Sequence, residues 1–435
     1  MADRPVTIVG AGLAGSEAAL RLSRAGVAVD LYEMRPAKLT PAHRSGRFAE
    51  LVCSNSLGSA ELTSGKGLLK EELRILGSAL LPIAEASRVP AGQALAVDRE
   101  EFGRRVTEAV RSGPGIRVHE GEVKTIPGGP LVILACGPLA SDAIASAIQD
   151  DLGDDGFYFY DAISPIVDAA TIDPEASFVA DRYGIGTGDY LNLPMDRERY
   201  EAFLSALLTA KTVALRPFEE PRYFEGCMPV EEIARRGPDT LLFGPLRPVG
   251  LRDPRGGRIP HAVVQLRKEN AAGTMYNLVG FQTRLTYPEQ RRVFSLIPGL
   301  SSAGYFRYGS VHRNSFLDAR RHLHPWMESR SRAGLFFAGQ ITGVEGYVES
   351  IASGLVAAVS AAGRAAGKEP RPFPGESMTG ALMERITTPG PDRPQPMNAN
   401  FGLLPDVGAR RKRDRKERKV EVALAAIRRF NADLP

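Results

Sequence analysis

Two kinds of residue in this 435-residue chain have the types and spacing to do chemistry, a glycine-rich turn and a few isolated thiols. Gly10-Ala11-Gly12-Leu13-Ala14-Gly15 follows the apolar run Val6 to Val9, opens onto a helical pattern from Ser16 to Gly26, and is answered by Glu33 after the next apolar run. That order is the one a dinucleotide-binding unit requires. Gly10 permits a tight turn, Gly12 lets the backbone approach a pyrophosphate, Gly15 lets helix and strand pack closely, and the helix N-terminus offers free N–H groups to the anion. Glu33, 23 residues beyond Gly10, is placed to accept hydrogen bonds from ribose hydroxyls and to repel a phosphate there. The expected ligand is FAD or NAD, not NADP.

The thiols are Cys53, Cys136 and Cys227, an odd number without a C-x-x-C pair. They fit neither a disulfide framework nor a zinc site, and point to a reducing compartment. Cys136 ends the apolar run Leu131 to Ala135, where a small buried residue is expected. Cys53 lies in Glu50-Leu51-Val52-Cys53-Ser54-Asn55-Ser56-Leu57, a loop that in dinucleotide folds comes near an isoalloxazine, and Cys227 lies in a loop marked by Gly226 and Pro229. A nucleophilic thiol must be partly exposed and surrounded by positive charge. Spacing alone leaves open whether Cys53 and Cys227 are catalytic or packed. Another candidate is the segment Ala338 to Ser350, where Gly339 and Gln340 follow a strand and Tyr347 opens a helix. Such a turn brings backbone N–H groups to a flavin or its phosphates, and Tyr347 is placed to stack on the ring. His322 and His324 form only an H-x-H pair without further ligands at metal spacing, so no metal is expected. The chain lacks G-x-S-x-G, Walker A and H-E-x-x-H motifs, which removes the esterase, P-loop and zincin readings.

Positioning these groups takes more than one domain, since a chain this long does not form one compact core. Helix Asp98 to Arg111, strand Ile116 to Glu120 and strand Leu131 to Gly137 continue a parallel sheet, while Met34 to Arg88 reads as an excursion without clear strands. A further buried strand, Gly334 to Gly339, and a helix, Tyr347 to Ala366, appear far downstream. The sheet is therefore assembled from both ends of the chain, around an insertion. The expected class is α/β, a Rossmann-like FAD-binding domain of the glutathione-reductase type with a mixed α/β insertion domain. Residues 1–150 and 301–370 form the two parts of the FAD domain, 151–300 the insertion, and 371–435 a Pro-rich connector and a basic helix. The window Ala409 to Phe430 carries ten Lys or Arg against three acids, a net +7 in a chain of +4, so the body is acidic at −3. Such a run is either a solvated helix face or flexible tail, or a nucleic-acid contact. With 43% apolar residues, no run long enough to span a membrane and no room for a signal peptide before the first strand, a cytoplasmic protein is expected.

The assembled segments resemble the TrmFO family of folate- and FAD-dependent tRNA (uracil-5-)-methyltransferases. The match covers nearly the whole chain: Gly10 to Ala19, Val52 to Leu57, Asp98 to Phe102, Phe224 to Pro229, Gly280 to Thr283, His312 to Asn314, Gly339 to Ser350 and Met397 to Gly402. A related flavoprotein of tRNA wobble-uridine modification shares the FAD motif but is longer, with an added helical C-terminal domain. The resemblance implies one-carbon transfer from 5,10-methylenetetrahydrofolate to C5 of the T-loop uridine (tRNA position 54), with FAD reduced by NADH or NADPH. It also implies Cys227 as the nucleophile at uracil C6, Cys53 as the proton-transfer partner, with the roles exchangeable, and Tyr347 at the flavin face. An FAD oxidoreductase acting on a small molecule and a non-catalytic flavin-bearing RNA-binding protein are the competing readings.

Overall fold

The structure is a computed structural model that describes residues 5–153, 157–184, 186–214, 223, 228–256, 259–390, 394–408 and 412–434. Strand Val6–Val9 lies at the centre of a five-stranded parallel sheet in the order Leu335–Phe337, Val132–Leu134, Val6–Val9, Val29–Glu33, Ile116–Glu120. The two strands that flank the centre on one side, Val132–Leu134 and Leu335–Phe337, are buried at every residue. Helices cover both of their faces, as a parallel sheet demands. The helix Leu13–Arg24 crosses Tyr347–Ala365 at close range because Gly354 has no Cβ; one there would collide with the backbone of Ala14.

The insertion builds a second, antiparallel sheet of six strands, ordered Phe178–Val179, Tyr190–Met195, Ala262–Lys268, Met275–Leu278, Ile166–Asp168, Tyr305–Arg307. Its last strand lies beyond Leu300. Its core is a separate cluster that includes Phe203, Phe281 and Phe294, with the Phe281 and Phe294 rings edge to face at 5.6 Å. A two-stranded ribbon, Phe157–Ile163 against Ser310–Phe316, joins the two cores.

Two stretches hold more structure than their sequence suggests. Met34 to Arg88 contains strand Ser56–Ser59, paired with Ala94–Val97, and helices Gly65–Ile75 and Leu80–Ala86. The Pro-rich connector contains helix Met378–Thr387. The basic helix runs Lys412–Ala432, and among the described residues no helix is long and apolar enough to cross a membrane.

Candidate functional site

The glycine turn forms one wall of a cleft that Glu33, Cys136, Gly339 and Tyr347 also line. Gly10 sits at φ +100°, and a Cβ there would collide with the carbonyl of Ala135; a Cβ on Gly15 would collide with the carbonyl of Gly10. Both glycines are therefore fixed by packing. Gly12 differs, because a Cβ there would meet nothing within 4 Å and would project into the cleft. Gly12 is also the N-cap of helix Leu13–Arg24, with no side chain capping its N–H groups and no acid in its first turn. An open cradle at an uncapped helix N-terminus is what a pyrophosphate fits. Leu13 and Ala14 line the same wall, and Ala11 is fully buried beneath it.

Glu33 reaches the cleft, but its carboxylate is already engaged. Oε2 accepts from Ala11 N (2.8 Å) and an Arg35 terminal nitrogen (3.0 Å), and Oε1 accepts from Arg35 N and Nε (both 3.0 Å). Burial pushes the carboxyl up, but the Arg35 bonds and charge outweigh it and hold Glu33 below the usual carboxylate range. A ribose diol that reaches Glu33 must share or displace the Arg35 donors. Gly339 and Gln340 line the far wall, at φ +85° for Gly339. The Gly339 N–H donates to Ser353 Oγ (2.8 Å), so it is not free for a ligand. Gln340 Nε2 donates to Glu345 Oε2.

Tyr347 joins this cleft to the first thiol. Its ring side lines the cleft, and its hydroxyl oxygen accepts from Cys53 N (2.8 Å) and Ser54 N (3.2 Å), pinning the cysteine loop against the helix start. Burial, then the neighbouring Cys53, push the Tyr347 hydroxyl up, so it stays protonated at neutral pH. Cys53 is half-buried and its Sγ points at Ala162 O (3.7 Å). Two guanidinium groups face this corner. Arg99 bonds the Leu51 carbonyl and pairs with Glu269 at 2.8 Å; Arg307 is brought down to about 10 by burial and by Arg99 and Arg44, and keeps its charge at neutral pH. Negative charge developing on a substrate here is met by fixed cations. Cys136 also lines the cleft, but burial pushes its thiol up to about 12, which leaves it inert.

Cys227 lies outside the described residues. Among the residues that follow it, Val230 N donates to Gln282 O (2.7 Å), and Thr283 bridges to Ile163, next to Ala162.

Three functional candidates escaped sequence reasoning. Arg99 follows the helix cap Asp98, Arg307 ends an ordinary strand, and Glu345 lies between glycines, all unremarkable until folded. Glu345 is buried beside Asp161, and burial followed by that repulsion pushes its carboxyl up to about 8. Its only signal in sequence is an acid in the otherwise apolar and glycine-rich segment Ile341 to Gly346.

Residues 5–369 match the family described as glucose inhibited division protein A. A Pelotomaculum thermopropionicum protein named methylenetetrahydrofolate--tRNA-(uracil-5-)-methyltransferase TrmFO is 55% identical over the full length of both chains. A protein of the same name from Sulfurihydrogenibium is 51% identical over 99% of this chain and 98% of its own. Among solved structures, Aquifex aeolicus GidA superposes with a TM-score of 0.74 at 17% identity over 99% of this chain and 76% of that one, a likeness of fold.

Proposed function

Since the chain belongs to the glucose-inhibited-division-protein-A family and to its TrmFO members, we propose that it methylates C5 of a tRNA uridine, that of the T loop, from 5,10-methylenetetrahydrofolate. FAD occupies the Gly10–Gly15 cleft, with NADH or NADPH as the electron source. When bound, the flavin supplies the hydride that turns the transferred methylene into a methyl group.

The chain's own residues do the rest. Uracil C5 is a poor nucleophile until a thiolate adds at C6 and converts the ring to an enolate, whose negative charge Arg99 and Arg307 are placed to meet. C5 then attacks the methylene carbon as one of its two C–N bonds to tetrahydrofolate breaks with the electron pair going to nitrogen. The C5 proton leaves to a base as the second C–N bond breaks and tetrahydrofolate departs, and once the exocyclic methylene has taken the hydride the thiolate leaves as the C5–C6 double bond re-forms. Cys227 fills the nucleophile's role and Cys53 that of proton-transfer partner, with Tyr347 holding the Cys53 loop through two hydrogen bonds.

The observation that carries this reading is the placement of the Cys53 thiol at the edge of the nucleotide cleft, under Tyr347 and two arginines. Transfer of label from methylenetetrahydrofolate to a tRNA transcript tests it. The wild-type protein, reconstituted with FAD and reduced by NADH or NADPH, should label one uridine, and Cys53→Ala should not. A flavin-loaded wild-type protein that labels no tRNA would overturn the proposal in favour of small-molecule oxidation.

A further inference from the structure

Three tyrosine rings stand in a row at the thiol end of the insertion domain. Tyr287 stacks on Tyr308 with centroids 4.8 Å apart and planes 22° from parallel, and Tyr308 stacks on Tyr305 at 4.8 Å and 18°. Arg291 places its guanidinium 5.3 Å from the Tyr308 ring centre and donates to the Tyr308 hydroxyl. The row runs from solvent inward: Tyr287 is 55% exposed, while burial pushes the Tyr305 hydroxyl up and leaves it without a hydrogen-bond partner among the described residues.

Packing does not account for Tyr287. It is the first residue of helix Tyr287–Phe294, which anchors itself through Gln290, Val293 and Phe294, all buried, so its outermost ring contributes little to the core. The row leads toward Cys53. Tyr308 follows Arg307, whose charge faces Cys53 and Tyr347, and two residues later Ser310 pairs with Ile163, next to the Ala162 carbonyl that faces the thiol. Arg44, which reaches the Phe306 carbonyl at 3.5 Å, adds another cation on this side.

We propose that Tyr287, Tyr308 and Tyr305 form a stacking platform for an unpaired base beside the target uridine, with Arg291 on the adjoining phosphate. This rests on the tRNA reading above. A target base taken out of a folded loop leaves its neighbours unstacked, and a column of parallel rings with one free outer face offers replacement stacking to any base. A guanidinium bonded to the hydroxyl of the middle ring adds a positive charge and a phosphate partner beside the column, a pairing that an RNA loop satisfies and a neutral ligand does not.

The test measures the dissociation constant of a T-arm stem-loop RNA, and its KM in methylation, for wild type, Tyr287→Ala and Tyr287→Phe. Bound-flavin absorbance and melting temperature serve as controls for folding. Tyr287→Ala should weaken RNA binding roughly five- to a hundredfold, the range for loss of one aromatic–base stack, while Tyr287→Phe stays within about twofold. Abasic substitution of each loop nucleotide then identifies the partner: at one position the wild type loses a similar factor and Tyr287→Ala loses little more. Wild-type affinity in Tyr287→Ala, or equal abasic losses in both proteins at every position, would overturn the platform. RNA binding decides the matter even in a protein that transfers no label, an outcome that counts against methylation alone.

Discussion

Glu345 is the residue whose chemistry depends most on the fold. Asp161, Glu349, Lys66 and Gln340 surround it, and burial with Asp161 beside it raises its carboxyl to about 8. A raised folded value means that its contribution to stability is fully present below the unfolded value near 4.5 and is lost as pH rises through about 8. The melting temperature of the wild type should therefore fall between pH 5 and 8 by more than that of Glu345→Gln, which cannot ionise and still accepts from Gln340. Parallel pH profiles for the two proteins would show that Glu345 titrates normally. On the acid side, burial holds His312 near 4, so its contribution is present above 6.5 and fades as pH falls toward 4. At this scale the sequence was legible where backbone geometry alone chooses the residue: Gly10 and Gly15 stand where no other residue fits, and Gly12 opens onto the cleft. It was not legible where the environment makes the chemistry. Arg35 takes the Glu33 carboxylate through its backbone N–H and its guanidinium, and nothing in the string Glu33-Met34-Arg35 marks that pairing.

The C-terminal helix shows the same division among elements. Its basic composition was plain in sequence, but its placement depends on a buried stripe of Val420, Ala423, Leu424, Ile427 and Phe430, spaced to share one face. Phe430 packs on Phe373 at 4.4 Å, and Lys419 Nζ donates to the Phe401 and Leu404 carbonyls at 3.1 and 2.7 Å. Part of the positive charge therefore holds the helix to the body, and truncation at Ala409 would also strip the core, at a cost on the order of several kcal/mol. Charge removal is the cleaner experiment. Arg418, Arg428 and Arg429 are exposed, and changing all three to Gln should lower the slope of log affinity for tRNA against log salt by about 0.7–0.9 for each phosphate that is no longer neutralised, with little change in melting temperature. An unchanged slope would place the tRNA elsewhere. Helices Gly65–Ile75 and Met378–Thr387 were hidden from sequence for a tertiary reason. The first opens Gly-Lys-Gly, against its propensity, and is held because its buried Glu72 accepts from Met378 N and Thr379 N, 2.7 and 2.8 Å away, capping the second.

Over the whole molecule, the parallel sheet could be read from both ends of the chain because its strands are short runs, apolar in Val6–Val9, Val132–Leu134 and Leu335–Phe337 and alternating in Val29–Glu33 and Ile116–Glu120, bounded by turns. The meeting of the two domains could not, since it rests on contacts such as Cys53 Sγ with Ala162 O (3.7 Å) and Arg267 with Asn55 (2.9 Å), which join segments more than a hundred residues apart. The two thiols proposed for the reaction set the last test. An RNA with 5-fluorouridine at the target position has no proton to lose from C5, so addition at C6 followed by methylene transfer should stall as a covalent protein–RNA adduct. Cys227→Ala should abolish both the adduct and methylation. Cys53→Ala should abolish methylation but keep some adduct, because proton removal follows addition; a smaller yield than wild type is expected, as the change also removes the Sγ contact to the Ala162 carbonyl. Cys136, whose thiol burial holds protonated at the cleft wall, should tolerate Ala in both assays with a modest loss of stability. Peptide mapping reads the outcome directly: RNA attached to Cys53 would exchange the two roles, and a full adduct in the double Cys53 and Cys227 alanine protein would remove thiol addition from the mechanism.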